Sequence, residues 1–155
     1  GQSAPAEDDK KPLGLTIAIG KEGFILKATG ANLNDILGVP AEQPANPEDA
    51  AVNSGIKISK VKDLYDYLDL YAKLKTIKKQ FPEESIVNLT AEADTHFKHV
   101  ITTMDAIRYD LQNERYDNIK AFADANRVYE RKVVDGKDVE VAKLLWPDVV
   151  FAMAN

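Results

Sequence analysis

From Leu13 the chain alternates, with Leu13, Leu15, Ile17 and Ile19 set against Gly14, Thr16 and Ala18, the period of a strand with one buried face. Gly20, Lys21, Glu22 and Gly23 supply a turn, and Phe24 to Ala28 predicts a second strand that closes a hairpin. Between Gly30 and Ser59 stand Pro40, Pro44 and Pro47, with little apolar periodicity beyond Leu33, Ile36 and Leu37. This stretch predicts a long loop with an insertion over about 38–56, since loops of such length are uncommon inside compact domains. A helix is predicted from Ser59 or Lys60 to about Gln80, where Phe81 and Pro82 stop it. Lys62, Asp66, Asp69, Lys73, Thr76 and Gln80 trace its solvent stripe. The apolar arc opposite is wider than one packed face needs, so the helix is expected to touch a sheet and a neighbouring helix.

Ser85 to Ala91 predicts a third strand, with Val87, Leu89 and Ala91 on one face, Ile86, Asn88 and Thr90 on the other, and both faces at least partly covered. A second helix follows from about Thr95 to Leu111. Phe97, Val100, Ile101, Met104, Ile107 and Leu111 form the stripe expected to pack on one sheet face. Asp94 or Thr95 is positioned to cap it, and Asp105 with Arg108 to form an ion pair. Asn118 to Ala123 reads as a strand, although a helix there fits too. Asp135 with Gly136 predicts a hairpin turn between Val128–Val134 and Val139–Leu145. Beyond Pro147, Asp148 to Met153 predicts a final strand of nearly continuous apolar residues. The pattern is α+β: two layers, a small mixed sheet of about five strands with two helices on one face. Residues 1–12 read as a flexible linker or leader, rich in small and acidic residues, and 13–155 as one domain.

Composition narrows the function by exclusion. A net charge of -5 without a basic cluster argues against nucleic acid. The absence of cysteine removes disulfides, thiolate nucleophiles and thiolate metal ligands together. No run approaches the ~20 apolar residues of a membrane span, and the first residues lack the basic and apolar regions of a signal peptide. Starting at Gly1, the chain reads as a piece of something longer whose upstream part is expected to hold a membrane anchor. His96 and His99 share a helix face but lack a third ligand nearby, so solvated histidines are the better reading. Neither a nucleophile elbow nor a phosphate-binding glycine loop occurs. Asn88, Leu89 and Thr90 match a glycosylation triplet inside a predicted strand and read as coincidence. Paired carboxylates such as Glu83 with Glu84, or Asp105 with Asp110, are expected on loops or exposed faces, without the desolvated pocket that general acid-base work needs. No cofactor, metal or catalytic residue is expected, and the class left standing is a domain that binds other macromolecules.

The run from Ala91 to Arg108, with Glu92, Phe97 and then Met104 followed by Asp105, resembles the signature of the periplasmic domain of the ExbD/TolR family of biopolymer-transport proteins. Glu92 stands where that family usually has Asp, and Phe97 where it usually has Tyr. The closing Trp146, Pro147, Asp148, Val149 and Val150 resembles the Phe-Pro-Asp ending of some members, so the resemblance extends over about Leu13 to Ala152. The stretches Gly38 to Ser54 and Tyr116 to Leu145 depart from the shorter members. The resemblance implies a proton-driven stator subunit of a bacterial inner membrane, one transmembrane helix lying upstream. It implies an ExbB or TolQ-like motor subunit and a TonB or TolA-like protein as partners, and a homodimer. It also leaves open a peptidoglycan-binding anchor of the TolR type. The proposed contact is strand addition along Val149, Val150, Phe151, Ala152 and Met153, which needs a sheet edge or a dimer seam. A buried central strand is the competing placement for so continuous an apolar run.

Overall fold

The computed structural model describes residues 12–40 and 55–153. The predicted leader, apart from Pro12, and residues 41–54 of the predicted insertion lie outside the described residues. β1 (Leu15–Gly20) and β2 (Gly23–Ala28) form the predicted hairpin, β3 (Ile56–Ser59) follows β2 in the sheet, and β4 (Ile86–Ala91) and β7 (Asp148–Met153) complete it in the order β3-β2-β1-β4-β7. The β1–β2 and β2–β3 pairs are antiparallel, whereas β4 is parallel to both β1 and β7. Gly23 makes the β2–β3 pairing possible, because any side chain there would run into the Ile58 carbonyl. Among the described residues β5 (Tyr129–Val134) and β6 (Lys137–Ala142) pair only with each other. Their turn holds Asp135 and Gly136 at φ 52° and 77°, the left-handed pair that a two-residue hairpin loop demands.

Among the described residues four helices accompany the strands: α1 (Leu33–Leu37), α2 (Tyr67–Gln80), α3 (Phe97–Arg108) and α4 (Ile119–Ala123). The domain is therefore the expected two-layer α+β fold, with α2 and α3 as the two long helices. One sheet face supplies Leu15, Ile17, Ile19, Leu26, Val87 and Leu89 to the core, all fully buried. Leu70, Leu74 and Ile77 of α2 and Val100 and Ile107 of α3 cover them. The opposite sheet face is open among the described residues: Asn88 is exposed, and Ile86 and Val150 are 52% and 55% exposed. The expectation that both faces of β4 are covered fails there.

Further corrections have local causes. α2 begins at Tyr67, not at Ser59 or Lys60, because Lys62 and Asp63 adopt left-handed φ values of 53° and 63° in a tight turn closed by Val61 and Leu64. Asp66 then caps the helix by accepting from the Asp69 N–H at 3.0 Å. The residues read as loop before it include β3, whose Ile56 and Ile58 are buried while Lys57 and Ser59 are exposed. Asn118–Ala123 is not a strand: Asn118 accepts from the Ala121 N–H at 2.8 Å and starts α4. α3 begins at Phe97 after His96, so neither Asp94 nor Thr95 caps it. It is also rotated from the predicted stripe. Thr103 and Ala106 join Val100 and Ile107 in the core, while Phe97 and Ile101 are 71% and 42% exposed. Arg108 sets its guanidinium over the Tyr109 ring, 5.9 Å from the centroid, and forms no ion pair with Asp105 among the described residues.

A buried ion cluster anchors the β5–β6 hairpin. Asp110 is 6% exposed and accepts from Lys75 of α2, with Lys143 at 3.7 Å on its other oxygen. Around it Val128 N–H donates to the Asp110 carbonyl at 2.9 Å, and Asp110 N–H to that of Lys143 at 3.1 Å. Next door the Tyr71 hydroxyl accepts from the Leu111 N–H at 2.8 Å, and burial raises its pKa. Removing one partner of such a pair leaves the other charge buried and uncompensated. We expect Asp110→Ala to cost about 3 kcal/mol in urea unfolding, and Lys75→Met combined with Asp110→Leu to recover most of that loss. Equal losses in the single and double variants would show that the cluster does not hold the hairpin base.

A candidate docking edge on the last strand

β7 is an edge strand. Trp146, fully buried, and Pro147 deliver the chain into it, and the Asp148 N–H donates to the Ser85 carbonyl at 3.0 Å. That bond sets the facing of every group that follows. Main-chain groups alternate sides along a strand, so Asp148, Val150 and Ala152 bond toward β4 in the register Ile86 to Asp148, Asn88 to Val150. Val149, Phe151 and Met153 then point their N–H and C=O groups away from the sheet. Their side chains lie on the helix side, where Val149 and Phe151 are half-buried against the core and Met153 is 50% exposed. Of the two placements open in the sequence, the edge is the one observed.

The other free edges are defended in ways that β7 is not. β3 is four residues long and carries Lys57. The β5–β6 ribbon exposes Val133 at 74%, yet Glu130, Arg131 and Lys132 face Val141, Glu140 and Val139, with Asp138 near Arg131. Short length and charge are the usual blocks against edge pairing. After Asp148, β7 has neither.

Beside this edge a groove of ≈ 380 Å³ is lined by Met104, Arg108, Pro147, Asp148, Val149 and Val150. α3 forms its wall through Met104 and Arg108, and the Nε of Arg108 is buried with no hydrogen-bond partner among the described residues. Of the signature residues, the structure brings Met104 to Val149 and Val150 but separates Glu92 from them. Glu92 is exposed just beyond the far end of β4, its N–H donating to the Ile19 carbonyl at 3.3 Å. Asp105 is exposed on α3, and Phe97 opens that helix in solvent. Arg108 was not singled out as a site residue from sequence; its signal is position, four residues after Met104 and so on the same helical stripe.

No family model, curated protein or solved structure matches this chain.

The chemistry elsewhere is sparse. Among the described residues no three His, Asp or Glu side chains are grouped to hold a metal, and no helix is long and apolar enough to cross a membrane. His96 is exposed as expected, whereas His99 is half-buried against an aromatic cluster. Its ring centroid is 4.9 Å from that of Tyr65, and its Nδ1 is 3.5 Å from the Tyr67 hydroxyl. Partial burial, and then the positive charges of Lys98, His96 and Lys60, hold its pKa below the ordinary histidine value. Tyr65 in turn donates to the Gly20 carbonyl at 2.7 Å, and burial, then Glu92 and Asp94, push its pKa up.

A depressed histidine binds protons less readily in the folded than in the unfolded chain. Stability is therefore full above pH ~6.5 and declines as pH falls through the folded pKa. An NMR titration is expected to place the His99 midpoint below 6.5, and His99→Gln to flatten the acid side of the stability curve. A midpoint above 6.5 would contradict this packing.

Proposed function

We propose that this chain is a periplasmic protein-binding domain of the ExbD/TolR type. In this reading it couples a proton-driven ExbB or TolQ-like motor of the inner membrane to a TonB or TolA-like protein. It does so by accepting an extended segment of that protein along β7, and the complete subunit works as a dimer. The reading begins from the resemblance carried by Glu92, Phe97, Met104 and Asp105. The observation that favours it most is the undefended edge, where Val149, Phe151 and Met153 offer three residues' worth of main-chain donors and acceptors beside a groove walled by Met104 and Arg108. A force-bearing contact of this kind has a physical advantage: ladder hydrogen bonds loaded along the strand share the pull, while side-chain pockets choose the segment.

Proline distinguishes the two sides of the strand. Val149→Pro removes an edge donor without touching the ladder to β4, a position where sheets tolerate proline. With a purified TonB or TolA-like periplasmic segment from the same genome, this variant is expected to bind at least tenfold more weakly, about the 1.4 kcal/mol of one net hydrogen bond. Its thermal midpoint should stay within a few degrees of the parent. Unchanged binding by the folded variant would defeat the edge reading. Cosedimentation of the parent with isolated cell wall, without binding to either segment, would favour the peptidoglycan anchor instead.

A further inference from the structure

On α3 the exposed Phe97 and Ile101 stand in one row with the half-buried Met104 and Arg108. Phe97, Ile101, Met104 and Arg108 are spaced by four, three and four, so they fall on one flank of the helix. Its last two members line the groove with Val149 and Val150, which places the whole row on the side of α3 that overlooks the free edge of β7. The core takes the neighbouring face through Val100, Thr103 and Ile107. A large aromatic ring left 71% exposed at Phe97, with Ile101 at 42% one turn on, is a costly use of apolar surface unless something covers it.

We infer that this flank is the side-chain half of a trough whose main-chain half is the β7 edge, and that it selects a partner segment with apolar residues at alternate positions. This inference rests on the strand-addition reading and names what the added strand must look like. A strand laid along β7 turns every second side chain toward the helix layer, at steps of about 6.6 Å. The flank residues rise along the helix in steps of about 4.5 to 6 Å, so three successive inward side chains meet Met104, Ile101 and Phe97 in turn. The outward side chains lie over the open sheet face beside Val150 and Ala152 and stay polar without cost.

The end of the trough narrows the chemistry further. Arg108 lines this end, and its Nε is a buried donor without an acceptor among the described residues, so the guanidinium keeps unused hydrogen-bonding capacity there. The groove already carries Asp148, and Asp105 stands three residues before Arg108 on the helix, so a third carboxylate would add to an excess of negative charge. A neutral side-chain acceptor meets the Arg108 guanidinium without that penalty. The occupant is accordingly an extended peptide segment of a partner protein with alternating apolar residues and a carboxamide, Asn or Gln, at the end that reaches Arg108.

The test uses this domain and synthetic eight-residue peptides: Val and Thr in alternation with a Gln on the Val face at one end, and versions with Glu or Leu in place of the Gln. Binding is read by fluorescence anisotropy and by chemical-shift changes at Phe97, Ile101, Met104 and the β7 amides. The Gln peptide is expected to bind most tightly, the Leu and Glu versions at least fivefold more weakly. Arg108→Met should erase the preference for Gln over Leu. Phe97→Ser with Ile101→Ser, at exposed positions that leave the fold intact, should weaken binding at least tenfold. Shifts confined to β7, with affinity unchanged in the Phe97 and Ile101 variant, would overturn the trough while leaving strand addition standing. Absence of binding by all three peptides would also overturn it, whereas the edge itself is judged by Val149→Pro and the defined TonB or TolA-like segment.

Discussion

β4 is the strand on which the rest of the sheet is hung. It pairs in parallel on both sides, with β1 through Val87 and Leu89 opposite Leu15 and Ile17, and with β7 through the same residues opposite Val149 and Phe151. Each parallel pairing fixes which face of its partner is buried, because a slip of one residue would turn every side chain over. With Val87, Leu89 and Ala91 sealed beneath the helices, β7 has no choice of face. Its odd-numbered side chains must lie under α3, and the main-chain groups of those residues must then point off the edge. The same strand runs through Glu92 and a short turn into α3, so the helix that walls the edge is set by the strand that positions it. The free edge thus follows from core packing, without any loop having to be ordered around it.

The edge is steady because its two ends are held by different means. Trp146 is sunk in the core just before β7, with the Lys78 ammonium 4.6 Å over its ring. Behind it, the Asp110 cluster ties the segment after α3 to α2 and to the stem of the β5–β6 ribbon. The buried charges are tolerable because Asp110 has two cations and main-chain bonds nearby, a satisfied network where a lone carboxylate would be expelled. Force applied along β7 would pass into this stem and the core together.

Much of the sheet was legible because its signals are local. The β1–β2 hairpin announces itself by strict alternation around a glycine-flanked turn, and the β5–β6 turn by Asp135 and Gly136. Other elements depend on contacts that no short window contains. β3 has only Ile56 and Ile58 to show, behind a proline-rich stretch, and becomes a strand because β2 offers it an edge. α4 buries none of its residues and rests on the Asn118 cap, so hydrophobic period could not find it. The rotation of α3 is the instructive miss for function. Thr103 and Ala106 carry little apolar signal, yet their small size suits close packing, and Thr103 meets its polar demand by donating to the His99 carbonyl at 2.6 Å. Choosing them for the core turned Phe97 and Ile101 outward. The run Val149 to Met153 was visible as a strand, but only the register with β4 shows which of its main-chain groups are free.

Amide hydrogen exchange, residue by residue along β7, reaches the central claim most directly. In the domain alone, Val150 and Ala152 should be protected by the ladder to β4, while Val149, Phe151 and Met153 exchange at nearly open rates. On adding the TonB or TolA-like segment, the three outward amides should slow by at least tenfold and the inward pair should change little. Slow exchange at Val149 and Phe151 before any partner is added, or no change at them in a complex that demonstrably forms, would contradict the account.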